Sequence, residues 1–340
     1  RIHELAATPK TVHWGYFDSS VAPVLTVASG DLVRIETVTH HAGDAPDLLM
    51  DAPIERIFEQ VQDRGPGPHL LTGPIALAGA RPGDVLQVDI LTADARLPHG
   101  SNLAAHWGAL YDEFRKERVT IFELDLDSML ARALFAYDWQ TTPLVDAPGT
   151  VVTPGSVPRE AALAGVTVPL RPHLGTMGVA PAAPGRHSSV PPGDHGGNVD
   201  NWRIGAGARM LYPVQVPGAL LSLGDPHVSQ GDGEVSGTAL EASLNAILRL
   251  TLRTDISLNV PVLETPTEIL VHGFGDDLDE AMRAAALRTI DLLGSRFGVS
   301  RDDAYAFASV AVDFTVTQVV DGRQGVHARI DKRCFPFRHR

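Results

Sequence analysis

Three stretches of the chain share one grammar: a short run rich in Val, Ile and Leu, a glycine-containing turn, then a second such run. They are PVLTVASGDLVRIET at 23–37, PIALAGARPGDVLQVDI at 74–90 and LYPVQVPGALLSLGD at 211–225. Apolar runs of this length bounded by turn residues favour strands, and each pair is expected to be a hairpin. Within the second, Arg81-Pro82-Gly83-Asp84 puts proline and glycine at the two central positions of a type II turn. The 32 glycines and 25 prolines imply many more turns, hence a loop-rich and strand-rich protein.

Helical signals are few. From Asp276 to Phe297, apolar residues at Leu278, Met282, Ala285, Ile290, Leu293 and Phe297 fall on one helical face, with acids in the first turn and Gly298 as a stop. Ser300 to Asp303 has the form of a capping box opening a second helix to about Ser309, followed by the strand VDFTVTQVV. Glu113–Glu123 fits a polar loop or a short helix. Pro169–Asn201, heavy in Pro and Gly, reads as a long functional loop or a linker. The expected fold class is therefore α+β, mainly β, with multi-stranded sheets or barrel-like hairpins and a few helices, the longest near 276–297. A length of 340 residues allows a β-rich lobe over 1–168 and an α+β lobe over 169–340, or one integrated domain.

Charge and composition exclude several classes. A net charge of −13 argues against nucleic acid, whose phosphates are held by Lys and Arg. No run of about 18 apolar residues is present, and the N-terminal residues lack a signal-peptide pattern, so no membrane association is expected. One cysteine, Cys334, rules out an internal disulfide and suits a reducing cytoplasm. There is no Gly-x-Ser-x-Gly elbow, no phosphate-binding loop and no strand-GxGxxG-helix unit.

Metal chemistry is better supplied. His13, His69, His106, His195 and His227 each stand beside Gly, Pro, Trp or Asp in stretches that look like turns or strand ends. The segment GDPHVSQGDGEVSGTALE, Gly224–Glu241, follows an apolar run and places Asp225 and His227 two apart, on one face of a continuing strand. The glycines after it could fold the backbone back and aim Asp232 or Glu234 at the same centre. A single histidine is more often a hydrogen-bonded residue than a ligand, and Gly-Asp is a common turn pair, so each position alone is weak.

Eight ordered blocks resemble the acetamidase/formamidase family over nearly the whole chain: TVHWGYFD, VASGDLVRIET, GPHLLTGPI, ARPGDVLQVDI, LGTMGVAP, HGGNVD, LYPVQVPGALLSLGDPHVSQGDGEVSGTALE and ASVAVDFTVTQVVDG. The resemblance implies an enzyme that cuts a linear carboxamide into carboxylate and ammonia. It also implies a homo-oligomer, expected as a dimer, and a divalent ion, zinc first and calcium as the alternative. Matching positions bring in His69, His195, Asn198, Asp200, Asp225, His227, Asp232 and Glu234. Asp225, His227 and His69 are expected as ligands, with His106 or His195 completing the shell. Glu234 is expected as proton shuttle, Asp232 as secondary ligand or orienting group, and Asn198 with the HGG amides as oxyanion donors. The segments THHAGDAPDLLMDAPIERIFEQVQDRGPGP and NLAAHWGALYDEFRKERVTIFELD depart from the pattern of simple acetamidases and formamidases. They leave open a larger amide, a lactam, a carbamate or an ester as substrate. A non-catalytic protein binding a small molecule or cation is the rival of another class.

Overall fold

The structure, a computed structural model, describes residues 1–139 and 148–336. Two large sheets dominate it. One has nine strands in the order Ile2–Leu5, Leu32–Thr37, Leu244–Arg253, Val85–Ala95, Arg209–Pro213, Val262–Glu264, Glu268–Gly275, Gln324–Asp331 and Val312–Gln318. The other has eleven strands, and at its heart Leu221–Ser229 pairs with Leu70–Leu77, His173–Gly178 and Leu240–Glu241. The largest apolar cluster joins Val33, Ile35 and Val88 of the first sheet to Leu174, Leu221 and Leu223 of the second, so the sheets share one core. Among the described residues neither sheet closes into a barrel. Both take strands from before and after residue 168.

All three expected hairpins are corrected in the same way. Leu25–Val27 pairs with Leu70–Leu77 in the eleven-stranded sheet, whereas Leu32–Thr37 pairs with Ile2–Leu5 and Leu244–Arg253 in the other. Likewise Leu70–Leu77 and Val85–Ala95 lie in different sheets, as do Arg209–Pro213 and Leu221–Ser229. Each turn is a corner that carries the chain from one sheet to the other. Burial explains the difference: every position of Leu70–Leu77 and of Leu221–Ser229 is buried. Strands enclosed on both faces sit inside a sheet and draw partners from distant sequence. The turn chemistry itself is as read: Gly83 has φ 98°, and the Asp84 N–H donates to the Arg81 carbonyl at 3.0 Å.

The long helix runs over Leu278–Phe297, with Asp277 as N-cap accepting from the Glu280 N–H at 2.8 Å and Gly298 ending it. Its Ile290, Leu293 and Phe297 pack with Val271, Ala328 and Ile330 of the nine-stranded sheet. Ser300 caps Arg301–Ala311, and the strand Val312–Gln318 follows. Two readings need revision. Glu113–Glu123 is neither loop nor helix throughout, because Glu117–Asp125 is a strand. The stretch 169–201 holds a fully buried strand, His173–Gly178, whose small residues hide any alternation. A helix over Ala52–Gln60, capped by Asp51, has no counterpart in the sequence reading. Of KRCFPFRHR, the last four residues fall outside the described ones. No helix among the described residues is long and apolar enough to cross a membrane.

Removing the cap on the long helix leaves an orphan amide at its first turn. Asp277→Ala is expected to lower stability by about 1 kcal/mol in urea unfolding; an unchanged midpoint would refute the cap's contribution.

Candidate active site

Strand Leu221–Ser229 carries Asp225 and His227 into the centre of the molecule. Around them gather the ends of other elements. His69 directly precedes Leu70–Leu77, His40 follows Leu32–Thr37, Asp200 follows Gly196–Asn198, and Glu241 ends Leu240–Glu241. Asp321 comes from the turn between the last two strands, and Glu234 from the loop after Ser229. A cavity of about 260 Å³ is lined by His40, His69, Asn198, Asp200, Asp225, Glu234, Glu241 and Asp321, with Pro68, Trp107, Val190 and Val320 as its apolar wall.

Asp225 is the shared partner. Its oxygens lie 3.6 Å from His40 Nδ1, 3.7 Å from His69 Nε2 and 3.3 Å from His227 Nε2. His227 Nε2 is also 3.2 Å from a Glu241 oxygen, and its Nδ1 is 3.8 Å from Asp200. His69 is oriented from behind by Ser189 Oγ at 2.8 Å, and His227 by Gln230 at 3.2 Å. Three groups, His40/His69/Asp225, Asp225/His227/Glu241 and Asp200/His227/Glu234, each bring their oxygen and nitrogen donors within 4.8 Å of one another. Such clusters of imidazole and carboxylate can hold a divalent ion.

Burial opposes charge on Asp225, yet His69, His227 and His40 hold it well below the usual carboxylate range. Burial also opposes a charge on His227, but Glu241 and Asp225 raise its pKa well above the ordinary value. The remaining acids move the other way. Burial, then the Asp225 charge, pushes Asp200 up to about 7. Glu234 is raised by burial and by Asp200, and Asp321 by burial, Asp200 and Glu234. Buried oxygens of Asp200, Glu234, Glu241 and Asp321 have no hydrogen-bond partner within the protein.

The backbone is bent to make this possible. Asp200, Asp225 and Glu234 have φ of 48°, 48° and 47°, a region that non-glycine residues rarely adopt. The expected i, i+2 pairing of Asp225 and His227 is therefore achieved on an irregular strand, by a kink as well as by alternation. Gly175 closes the arrangement from the neighbouring strand. A Cβ there would stand 2.5 Å from Asp200 Oδ1, 2.5 Å from His227 Cε1 and 2.8 Å from the Asp225 carbonyl.

Of the residues singled out in the sequence, the structure brings together Asp225, His227 and His69, and places Glu234 and Asn198 on the same cavity. His106 also lines the cavity, with Nδ1 3.1 Å from the Glu117 carboxylate, but belongs to none of the three donor groups. His195 is not on the cavity wall; its ring lies 5.0 Å from that of Phe17. Asp232 faces Arg203 at 3.0 Å in an ion pair outside the cavity. His13 is buried against Tyr16. Sequence reasoning missed His40, Glu241 and Asp321 as cavity groups. Two signals were available: Glu241 closes the acid-rich segment itself, and His40 stands directly beyond a strand.

Acids with separated proton affinities and clustered donors around one buried space, on a rigid β scaffold, define an enzyme centre. The chain belongs to the Acetamidase/Formamidase family of amidohydrolases, whose sequence profile matches residues 3–188 and 182–329. It is 33% identical to an acetamidase from Mycolicibacterium smegmatis, over a match spanning 49% of this chain and 49% of that protein, about half the relative's length. It is 28% identical to a formamidase from Methylophilus methylotrophus, covering 88% of this chain and 83% of that one. Its fold superposes on the crystal structure of an acetamidase from Bacillus halodurans with a TM-score of 0.78, at 25% identity, over 99% and 100% of the two chains.

The packing of Gly175 is directly testable. Gly175→Ala is expected to cost about 1–3 kcal/mol, the usual range for overpacking, whereas Gly231→Ala, where a Cβ meets nothing within 4 Å, leaves stability unchanged. Equal urea midpoints for the two variants would refute the close approach.

Proposed function

We propose that the protein hydrolyses the carboxamide bond of a small linear amide, giving a carboxylate and ammonia. The observation that carries this reading is the set of buried, unpartnered acid oxygens facing one cavity in a chain of this family. A site with no reaction or ligand to serve leaves such groups as pure cost, since a buried polar atom without a partner costs about 1–3 kcal/mol.

The residues fit a divalent cation. His40, His69 and Asp225 would hold it, with Asp225, His227 and Glu241 as a second set sharing Asp225. Donors of imidazole nitrogen and carboxylate oxygen suit zinc; calcium prefers an all-oxygen shell. Bound there, such an ion supplies Lewis-acid polarisation of the amide carbonyl and of an attacking water.

The chain's own groups would do the rest. Burial raises the proton affinity of Glu234, so it acts only in its ionised form, in which it takes a proton from the attacking water as the new C–O bond forms. It returns that proton to the amide nitrogen as the C–N bond breaks, so the leaving group departs as ammonia. Thr176 Oγ donates to Asn198 Oδ1, which leaves the Asn198 amide nitrogen as donor to the oxyanion. Asp232, bound to Arg203, would act only by ordering the loop that carries Glu234. His106 would border the substrate. His195 would support the HGG turn, its ring being close to Gly193 and Gly197.

A homo-oligomer, with a dimer the simplest form, and a cytoplasmic location complete the proposal. The single exposed cysteine and the charge of −13 suit a reducing, aqueous compartment. Light scattering at monomer mass would refute the oligomer.

Two outcomes test the chemistry. Glu234→Gln is expected to lower ammonia release from acetamide at least ~100-fold with unchanged circular dichroism; full turnover removes Glu234 from the shuttle role. Chelation followed by dialysis is expected to abolish release, with recovery on adding zinc. Undiminished turnover in protein shown to be metal-free rejects the cation's part.

A further inference from the structure

We infer that the substrate is a primary amide whose acyl group is neutral, apolar and larger than acetyl, seated against Trp107, Val190 and Val320; this rests on the amide-hydrolase reading above. Size is the first argument. The cavity of about 260 Å³ is larger than an apolar cavity of about 150 Å³ that holds benzene, a ligand with two more non-hydrogen atoms than acetamide. A substrate as small as acetamide leaves most of the space to water, and the apolar wall unused.

The wall is built rather than incidental. The Trp107 indole N–H donates to the Gly237 carbonyl at 2.8 Å, which fixes the ring plane. Gly237 itself has φ 109°, and a Cβ there would stand 3.0 Å from the indole nitrogen, so the loop is shaped to the ring. Val320 is 6% exposed and adjoins Asp321, while Val190 adjoins the Ser189 that orients His69. Val320 and Val190 thus adjoin residues of the polar machinery and Trp107 adjoins His106 on the cavity wall, so a chain attached to a carbonyl held there would run along them.

Charge is the second argument. The lining holds Asp200, Asp225, Glu234, Glu241 and Asp321, and no Lys or Arg is among the described residues that line it. An acyl chain ending in a carboxylate would find no cationic side chain and several acids. A carboxylate buried there with no Lys or Arg to pair it is costly whether those acids are ionised or hold their protons.

The test measures kcat/KM for ammonia release by the intact protein with acetamide, propionamide, butyramide, 4-methylpentanamide, phenylacetamide and succinamate. The expected result is a rise of about fourfold per added methylene up to 4-methylpentanamide, the value of burying each one. Succinamate, close in shape to 4-methylpentanamide but anionic, is expected to be at least about tenfold poorer than it. Values that stay flat or fall beyond acetamide, or succinamate as good as its neutral counterpart, overturn the inference while amide hydrolysis stands. No ammonia from any member overturns the reaction itself and this inference with it. In Trp107→Ala the phenylacetamide to acetamide ratio is expected to drop at least about tenfold. An unchanged ratio removes Trp107 from the wall, and the wild-type series decides the size argument whether or not that variant folds.

Discussion

Keeping the Asp225 carboxylate charged away from water is the constraint on which the rest of this structure depends. An isolated buried anion is so costly that it takes up a proton instead, unless neighbours compensate it. Here His40, His69 and His227 surround it, and Glu241 in turn holds the charge on His227. The compensation is local to Asp225. Asp200, Glu234 and Asp321 share the same space without comparable partners, so their protons stay on more readily. One carboxylate kept ionised beside others kept protonated is how a single cavity supplies both a cation-binding group and a proton carrier.

Such an arrangement requires groups from distant parts of the chain, and the corners between the sheets deliver them. The turns after Val27, Leu77 and Pro213 each switch the chain from one sheet to the other. As a result, the strand carrying Asp225 is flanked by strands from residues 70–77, 173–178 and 240–241. The ends of those strands and of their neighbours are where the reactive groups sit. A simple succession of hairpins would have kept sequence neighbours together and left His40, His69 and Asp225 apart.

Local chemistry was legible in the sequence because it is decided by a few adjacent residues. The type II turn at Arg81–Asp84, the stop at Gly298, the cap at Ser300 and the concentration of acids after Leu223 all follow from short-range rules. Pairing was not legible, since the same apolar run serves equally in a hairpin or in a corner until its burial on both faces is known. The buried strand His173–Gly178 was hidden for a related reason: Gly175 must be small to let His227 and Asp200 approach, and small residues erase the alternation that marks a strand. In the site, Asp225 and His227 stood out through their spacing on one strand face, and His69 through the resemblance of GPHLLTGPI to the family. Asp321 did not, because VVDG looks like any other turn, and only the third dimension brings it to the cavity.

The unusual backbone at Asp200, Asp225 and Glu234 needs support, because a left-handed conformation at a residue with a side chain costs on the order of 1–3 kcal/mol, less for aspartate than for glutamate. That support is visible behind Asp200. The Asn201 amide nitrogen donates to His272 Nε2 and to His327 Nδ1, each at 2.9 Å, across two paired strands of the nine-stranded sheet. Burial holds both imidazoles neutral, which is what allows those ring nitrogens to accept. From the opposite side the Gln230 amide donates to the Asp200 carbonyl at 2.7 Å. The turn at Asp200 is thus clamped between the two sheets by hydrogen bonds to its main chain and to its neighbour. One oxygen of its carboxyl group, Oδ1, accepts no hydrogen bond within the protein, while the carboxyl group pairs with Asp321 across the cavity.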